Sequence, residues 1–322
     1  MRYLKNPSLK TIKQGYKGNA TKHGKFMNEY QGPPHLSYLD FIRWFLFKKP
    51  RKRQGKREQV KTTPLRRLPP RTKDSIVWLG HAGFLITLNR KRVLIDPALL
   101  NVFPLRRFFK PPCKPELLKG INYVCYTHGH RDHLDLATLR RLPGDPQLLV
   151  PLGAKRLVQR HRKHAPVQAA GWWQQYDTEG INICFLPAHH WYSRKLIDHN
   201  KMLWGSIIIT AKGKSVYHSG DTAYTEHFRD IHRLFPKMDV CLMPATYYEP
   251  EEALAGDHMP INKSTRAFRE LHGKVFIPMH YGMAGISNDC IKPNTTALNK
   301  EFSAHKDKSK LHQLVVGKTF YF

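Results

Sequence analysis

The run Thr127-His128-Gly129-His130-Arg131-Asp132-His133 places three imidazoles and one carboxylate within six residues. Two metal ions can be held by such a run, and little else explains it. Neutral imidazole nitrogen and carboxylate oxygen suit zinc, manganese or iron. With 19 histidines in 322 residues, composition alone would produce a His-x-His-x-Asp-His pattern with a probability of about 0.003. That sets aside a chance histidine-rich surface loop. Further ligand types recur downstream, in Pro187-Ala188-His189-His190-Trp191, Tyr217-His218-Ser219-Gly220-Asp221-Thr222 and Ile277-Pro278-Met279-His280-Tyr281-Gly282.

Each of these segments follows an apolar stretch. Ile121 to Tyr126 precedes the histidine run, and Ile181 to Leu186, Ser215 to Tyr217 and Val275 to Ile277 precede the others. Short apolar runs bounded by turn residues read as buried strands, so the ligand types sit on loops at strand ends, where a rigid scaffold can aim them. From Ser75 onward such runs alternate with amphipathic stretches. Ser75–Leu79, Phe84–Leu88 and Val93–Ile95 are early strands, with a hairpin at Asn89-Arg90-Lys91. Helices are expected over Asp135–Arg141, Ala154–His164, Thr225–Phe235 and Lys263–Leu271, the last capped by Asn262 or Ser264.

The chain carries 54 basic and 24 acidic residues, a net charge of +30. Residues 1–73 hold 20 basic and 3 acidic side chains and read as a basic N-terminal extension to one catalytic domain, 74–322. Its first 35 residues read as irregular chain wrapping the domain. Residues 36–47 form an apolar, aromatic segment of about twelve residues, against roughly twenty needed to span a bilayer. A polybasic cluster, 48–57, follows at once. This is the two-signal pattern of a peripheral anchor on an anionic membrane. The plainer reading is a helix packed on the domain or on a second subunit, with a solvated basic linker behind it. Five cysteines without a CxxC pair fit buried thiols in a reducing compartment rather than a disulfide framework. No apolar run follows Met1 to suggest a secretory signal. Together these point to a cytoplasmic, peripherally membrane-associated protein.

Residues 74–322 resemble the metallo-β-lactamase fold superfamily. Trp78-Leu79-Gly80-His81-Ala82-Gly83, Leu94-Ile95-Asp96-Pro97 and the histidine run carry the likeness. Within it the resemblance is to the N-acylphosphatidylethanolamine-hydrolysing phospholipase D family. Val150-Pro151-Leu152-Gly153, His190-Trp191, Asn200 to Ser206, Gly220-Asp221-Thr222-Ala223-Tyr224 and Tyr248-Glu249-Pro250 stand in that family's order. The resemblance implies an α/β fold, a four-layer αββα sandwich, that is often dimeric. It also implies two divalent ions, zinc first. His128, His130 and His190 would hold one ion, Asp132, His133 and His280 the other, and Asp221 would bridge them.

Two divalent ions, two carboxylates and a hydroxide leave such a centre at about +1, which suits an anionic electrophile. No cysteine stands among the ligand positions, which argues against the cysteine-using lactamase subclass. The expected reaction is hydrolysis of N-acylphosphatidylethanolamine to N-acylethanolamine and phosphatidic acid by a metal-bound hydroxide. Asp132 would orient the hydroxide, and His258 would contact substrate or donate a proton, a structural role being its alternative. His81 and Asp96 read as supports of the metal ligands, and His81 equally as a structural histidine. Trp191 and Tyr248 lean towards the pocket, Trp204 towards the core. A metal-dependent nuclease, motivated by the charge, and a sugar-phosphate lactonase are the competing activities.

Overall fold

The computed structural model describes residues 1–32, 60–100, 102, 106–195, 197–245, 256–284 and 295–322. The segment 36–57, with its anchor-like pattern, lies outside the described residues, as do Tyr248, Glu249 and Pro250. Among the described residues no helix is long and apolar enough to cross a membrane.

Two seven-stranded sheets face one another. The first runs in the order Val167–Ala170, Gln147–Pro151, Tyr123–Cys125, Lys91–Ile95, Gly83–Leu88, Ser75–Gly80 and Thr319–Tyr321. The second runs Gly273–Met279, Met238–Pro244, Lys214–His218, Ser206–Ala211, Asn182–Leu186, Gln174–Tyr176 and Lys10–Thr11. Helices Leu136–Arg141 and Lys155–His161 cover the first sheet, and His227–Leu234, Ile261–Glu270 and Thr295–Ala304 lie beside the second. This is the αββα sandwich. Central strands are apolar on both faces because each sheet is covered twice, by a helix and by the other sheet. Every residue of Ser75–Gly80 and Gly83–Leu88 is buried. The hairpin between Gly83–Leu88 and Lys91–Ile95 turns at Asn89 and Arg90, both at positive φ (46° and 64°), as a two-residue turn matched to strand twist requires.

The parallel strands of each sheet point the same way, which gathers their C-terminal ends on one rim. Lys91–Ile95 pairs in parallel with Tyr123–Cys125, and that strand with Gln147–Pro151. In the second sheet Lys214–His218, Met238–Pro244 and Gly273–Met279 run parallel. Asp96, the 127–133 run, Asp221 and His280 therefore leave their strands at the sandwich's mouth.

Two local expectations are corrected. The last sequence-assigned helix starts earlier, at Ile261, with Pro260 as its cap and no side-chain cap bond; proline's fixed φ suits a helix entrance, so neither Asn262 nor Ser264 caps it. Residues 1–32 are not irregular throughout. Arg2–Leu4, Asn19–Lys22 and Lys25–Phe26 form a small sheet, and Lys10–Thr11 adds an edge strand against Gln174–Gln175. Buried Gln174 ties this segment down, its Oε1 accepting from the Asn6 N–H and its Nε2 donating to the Asn6 carbonyl. Cys113, Cys125, Cys184 and Cys241 are free thiols, the last three buried.

Candidate metal centre

All seven sequence-assigned ligand residues converge at the mouth. His128, His130, His190 and Asp221 bring one ligand atom each within 4.8 Å of one another, and so do His81, Asp132, His133 and His280. Asp221 joins the groups. Its Oδ2 lies 3.1 Å from His133 Nε2, 3.7 Å from His128 Nε2 and 3.8 Å from His190 Nε2, and its Oδ1 lies 3.0 Å from His280 Nε2. Gly220 makes that placement possible. It sits at φ 59°, and a Cβ there would stand 2.5 Å from the Gly205 carbonyl oxygen. His218, unassigned from sequence, proves to be a strut. Its Nδ1 accepts from the Gly220 N–H at 3.0 Å, so Nε2 carries the proton and donates to the Ala82 carbonyl at 2.9 Å.

Each ligand histidine must offer a bare nitrogen, and the partner of its other nitrogen decides which one. His133 Nδ1 faces Asp96 Oδ2 at 2.8 Å, His128 Nδ1 faces Thr127 Oγ1 at 3.0 Å, and His190 Nδ1 donates to the Asp257 carbonyl at 3.0 Å. Their Nε2 atoms are thereby left to the centre. His128 Nε2 is buried and makes no hydrogen bond, and the buried His133 Nε2 and Asp221 Oδ1 meet only other ligand atoms, at 3.1 and 3.0 Å. Three such atoms aimed at one small volume are costly unless a cation satisfies them. Nitrogen and carboxylate donors at these separations fit divalent ions of the zinc type. The residues present thus fit the group that the sequence implies.

Electrostatics set His133 apart from the other histidines of the centre. Burial, reinforced by His133 and His130, pushes His128 well below its usual range. Burial likewise takes His130 down to about 4 and lowers His280 and His258. These four are neutral and keep their lone pairs for a metal, whereas at His133 the Asp221, Asp96 and Asp132 carboxylates outweigh burial and raise it well above its usual range, so that a metal must displace its proton. Burial also works against the charged forms of Asp221 and Asp132, but the surrounding histidines outweigh it and hold both carboxyls ionised, far below the ordinary range. The backbone is strained here too. His81, Asp96 and His280 all have positive φ (53°, 44° and 64°), a conformation that non-glycine residues adopt when the surroundings force it.

His81 lies with the second group, its Nε2 3.1 Å from Asp132 Oδ2. Asp96 is fully buried and accepts from the Thr127 N–H (2.8 Å) and the Thr127 hydroxyl (2.5 Å), besides facing His133. His258 is half-buried between the groups, its ring centroid 5.3 Å from that of His190 and 5.0 Å from that of His280. Trp191 stands edge-on to His130 at 4.8 Å. Trp204 is core, its Nε1 donating to Asn28 Oδ1 and to the Ala188 carbonyl. His189 turns from the centre: a Cβ on Gly32 would stand 2.5 Å from its ring.

Two contributors carry no signal in the sequence. Asn28, in the extension, donates to the His190 carbonyl at 2.9 Å and accepts from the His190 N–H at 3.3 Å. The Asp257 carbonyl fixes the His190 tautomer from 67 residues away. Neither could have been found from spacing, since one is a lone asparagine and the other a backbone group.

The domain profile described as the beta-lactamase superfamily domain matches residues 91–281, more than half of the chain. An N-acyl-phosphatidylethanolamine-hydrolyzing phospholipase D from Caenorhabditis elegans is 27% identical over 64% of this chain and 63% of its own length. The mitochondrial enzyme of that name from Saccharomyces cerevisiae is 28% identical over 76% of this chain and 55% of its own. The chain thus spans about three-fifths of these relatives. A metal-dependent hydrolase from Methanosarcina mazei is 28% identical over 72% of this chain and 92% of its own. A solved metallo hydrolase from Ignicoccus hospitalis shares the fold, with TM-score 0.60, 23% identity, and 78% of this chain and 98% of that one covered.

Proposed function

The chain belongs to the beta-lactamase superfamily and is a metal-dependent hydrolase, and we propose that it cleaves N-acylphosphatidylethanolamine-type phospholipids to N-acylethanolamine and phosphatidic acid. The observation that carries this reading is the likeness to two enzymes of that name over 64% and 76% of this chain, on a site whose two His/Asp groups are joined by Asp221. We assign His128, His130 and His190 to one zinc ion, Asp132, His133 and His280 to a second, and Asp221 to both.

Bound divalent ions would supply Lewis acidity and make water a usable nucleophile at neutral pH. The chain's residues do the rest. Asp132, steadied by His81, offers a carboxylate oxygen that orients the nucleophile. His258 is kept neutral by burial and meets substrate as an imidazole whose N–H donates a hydrogen bond to the departing oxygen. Trp191 gives the rim an apolar face beside His130, suited to an acyl chain. The segment 36–57 would bring the enzyme to the anionic cytoplasmic face of a membrane.

The test is product analysis by mass spectrometry, with zinc-loaded protein, the phospholipid in mixed micelles and a chelated control. Metal-dependent appearance of both products supports the reading. No product from protein shown to bind two ions discards the lipid assignment and leaves the hydrolase. One observation favours a second reading, hydrolysis of a smaller ester, lactone or phosphodiester. The Methanosarcina hydrolase is matched over nearly its whole length, the phospholipases over little more than half. The same assay with small chromogenic esters and RNA separates the two.

A further inference from the structure

The loop that follows His190 crosses the 127–133 run, where the Ser193 N–H donates to His130 Nε2 at 3.4 Å and Arg131 Nη2 to the Arg194 carbonyl at 3.5 Å, and the Arg194 side chain makes the two shortest links. Arg194 Nη1 donates to the Gly129 carbonyl at 2.9 Å and to the Leu134 carbonyl at 2.8 Å. These carbonyls bracket the run, one between His128 and His130, the other directly after His133. The backbone that carries Arg194 is itself held. Asp198 Oδ1 accepts from the Arg194 N–H at 2.9 Å and the Lys195 N–H at 2.8 Å, and Asp198 Oδ2 accepts from the Tyr192 hydroxyl at 3.0 Å. The Tyr192 ring lies under Gly129, where a Cβ would stand 2.4 Å from Tyr192 Cε2. One carboxylate thus ties Tyr192, Arg194 and Lys195 together, and this arrangement presents one cation to the two carbonyls that bracket the ligand run.

We propose that Arg194 is a positioning residue that locks the 128–133 run against the His190 loop and so sets the affinity of both metal groups at once. It touches no ligand atom and acts through backbone carbonyls. His128 and His130 belong to one group and Asp132 and His133 to the other, so the clamp tightens both. A side chain that only filled space would leave metal affinity alone. The role rests on the reading that this run holds metal. Supports one step removed from a metal ligand change affinity by about 10- to 100-fold when lost.

The experiment is stepwise zinc titration against a chromophoric competitor, on the full chain, for the parent, Arg194→Met, Arg194→Lys and Asp198→Asn, with thermal unfolding of each metal-free protein alongside. Arg194→Met is expected to weaken both binding steps by about tenfold or more. Arg194→Lys keeps the charge but not the planar fork and recovers part of the loss. Asp198→Asn keeps Arg194 but loosens its loop and lies between. Zinc affinities within twofold of the parent in all three, whatever the unfolding temperature does, overturn the proposal. Weakening of one step alone overturns the coupling of the two groups. If Arg194→Met does not fold, Arg194→Lys and Asp198→Asn decide by the same criteria. His128→Ala serves as the separate control: if it too binds two ions like the parent, the ligand assignment has failed rather than the clamp.

Discussion

Replacing Asp96 by asparagine changes one atom at the centre's floor and tests the tautomer argument. Asp96 accepts three hydrogen bonds on two oxygens, two from Thr127 and one from His133 Nδ1. An amide keeps one oxygen. Turned to satisfy the Thr127 N–H, it sets its NH2 group against His133 Nδ1–H, donor facing donor. The imidazole then favours the other tautomer, with its proton on Nε2, the atom that stands 3.1 Å from Asp221. A charge-assisted bond of this kind contributes about 1.5–3 kcal/mol, equivalent to roughly 10- to 100-fold in zinc affinity. Backbone strain does not confound the change, because asparagine tolerates the positive φ found here better than other residues with a Cβ. The assay is zinc competition at pH 7.5 together with activity at saturating zinc. Zinc affinity within twofold of the parent would refute the claim that Asp96 sets the His133 tautomer.

Three further outcomes are expected. Burial, together with nearby His189, lowers His227 to about 3 against a reference near 6.5; the unfolded chain therefore protonates first, and stability is complete above about pH 6.5 and falls as pH drops towards 3. Between pH 7 and pH 5 that amounts to about 2 kcal/mol, so urea unfolding of His227→Phe should depend less on pH than that of the parent, and equal dependence would exonerate the residue. Gly129→Ala places a Cβ 2.4 Å from both Met202 Sδ and Tyr192 Cε2 and should cost about 1–3 kcal/mol in denaturant unfolding, with Met202→Ala recovering part of it. His258→Ala should keep its bound zinc by metal analysis yet lose about a hundredfold in kcat, and unchanged kcat would remove it from the reaction.

What could be read from the sequence follows the range of the forces. The 127–133 run is contiguous, and the other ligands sit just past apolar strands, so their convergence was legible once the strands were. The hairpin at Asn89-Arg90 was legible because residue type and turn geometry are local. The short strands in residues 1–32 were not. Arg2–Leu4 is exposed throughout, and a polar segment of two to four residues becomes a strand through the partner it pairs with, not through its own preference. Arg194, Asn28 and the Asp257 carbonyl escaped for the same reason, since each acts across a fold that spacing does not encode.

The same geometry ties metal to folding. Neither group of ligands belongs to one sheet. His128 and His130 follow a strand of the first sheet, His190 and Asp221 strands of the second; Asp132 and His133 come from the first, His280 from the second. Buried ligand atoms crowded at that joint, with no partner but one another, oppose the packing of one sheet on the other unless a cation meets them. An ion that binds only the assembled joint stabilises the folded state by RT ln(1 + [L]/Kd), about 4 kcal/mol when zinc is a thousand times its dissociation constant. Chelation should then lower the unfolding midpoint of the whole sandwich in one cooperative step. A chelated protein that unfolds in two steps, with the sheets parting first, would show that the cores, and not the ligand joint, hold the halves together.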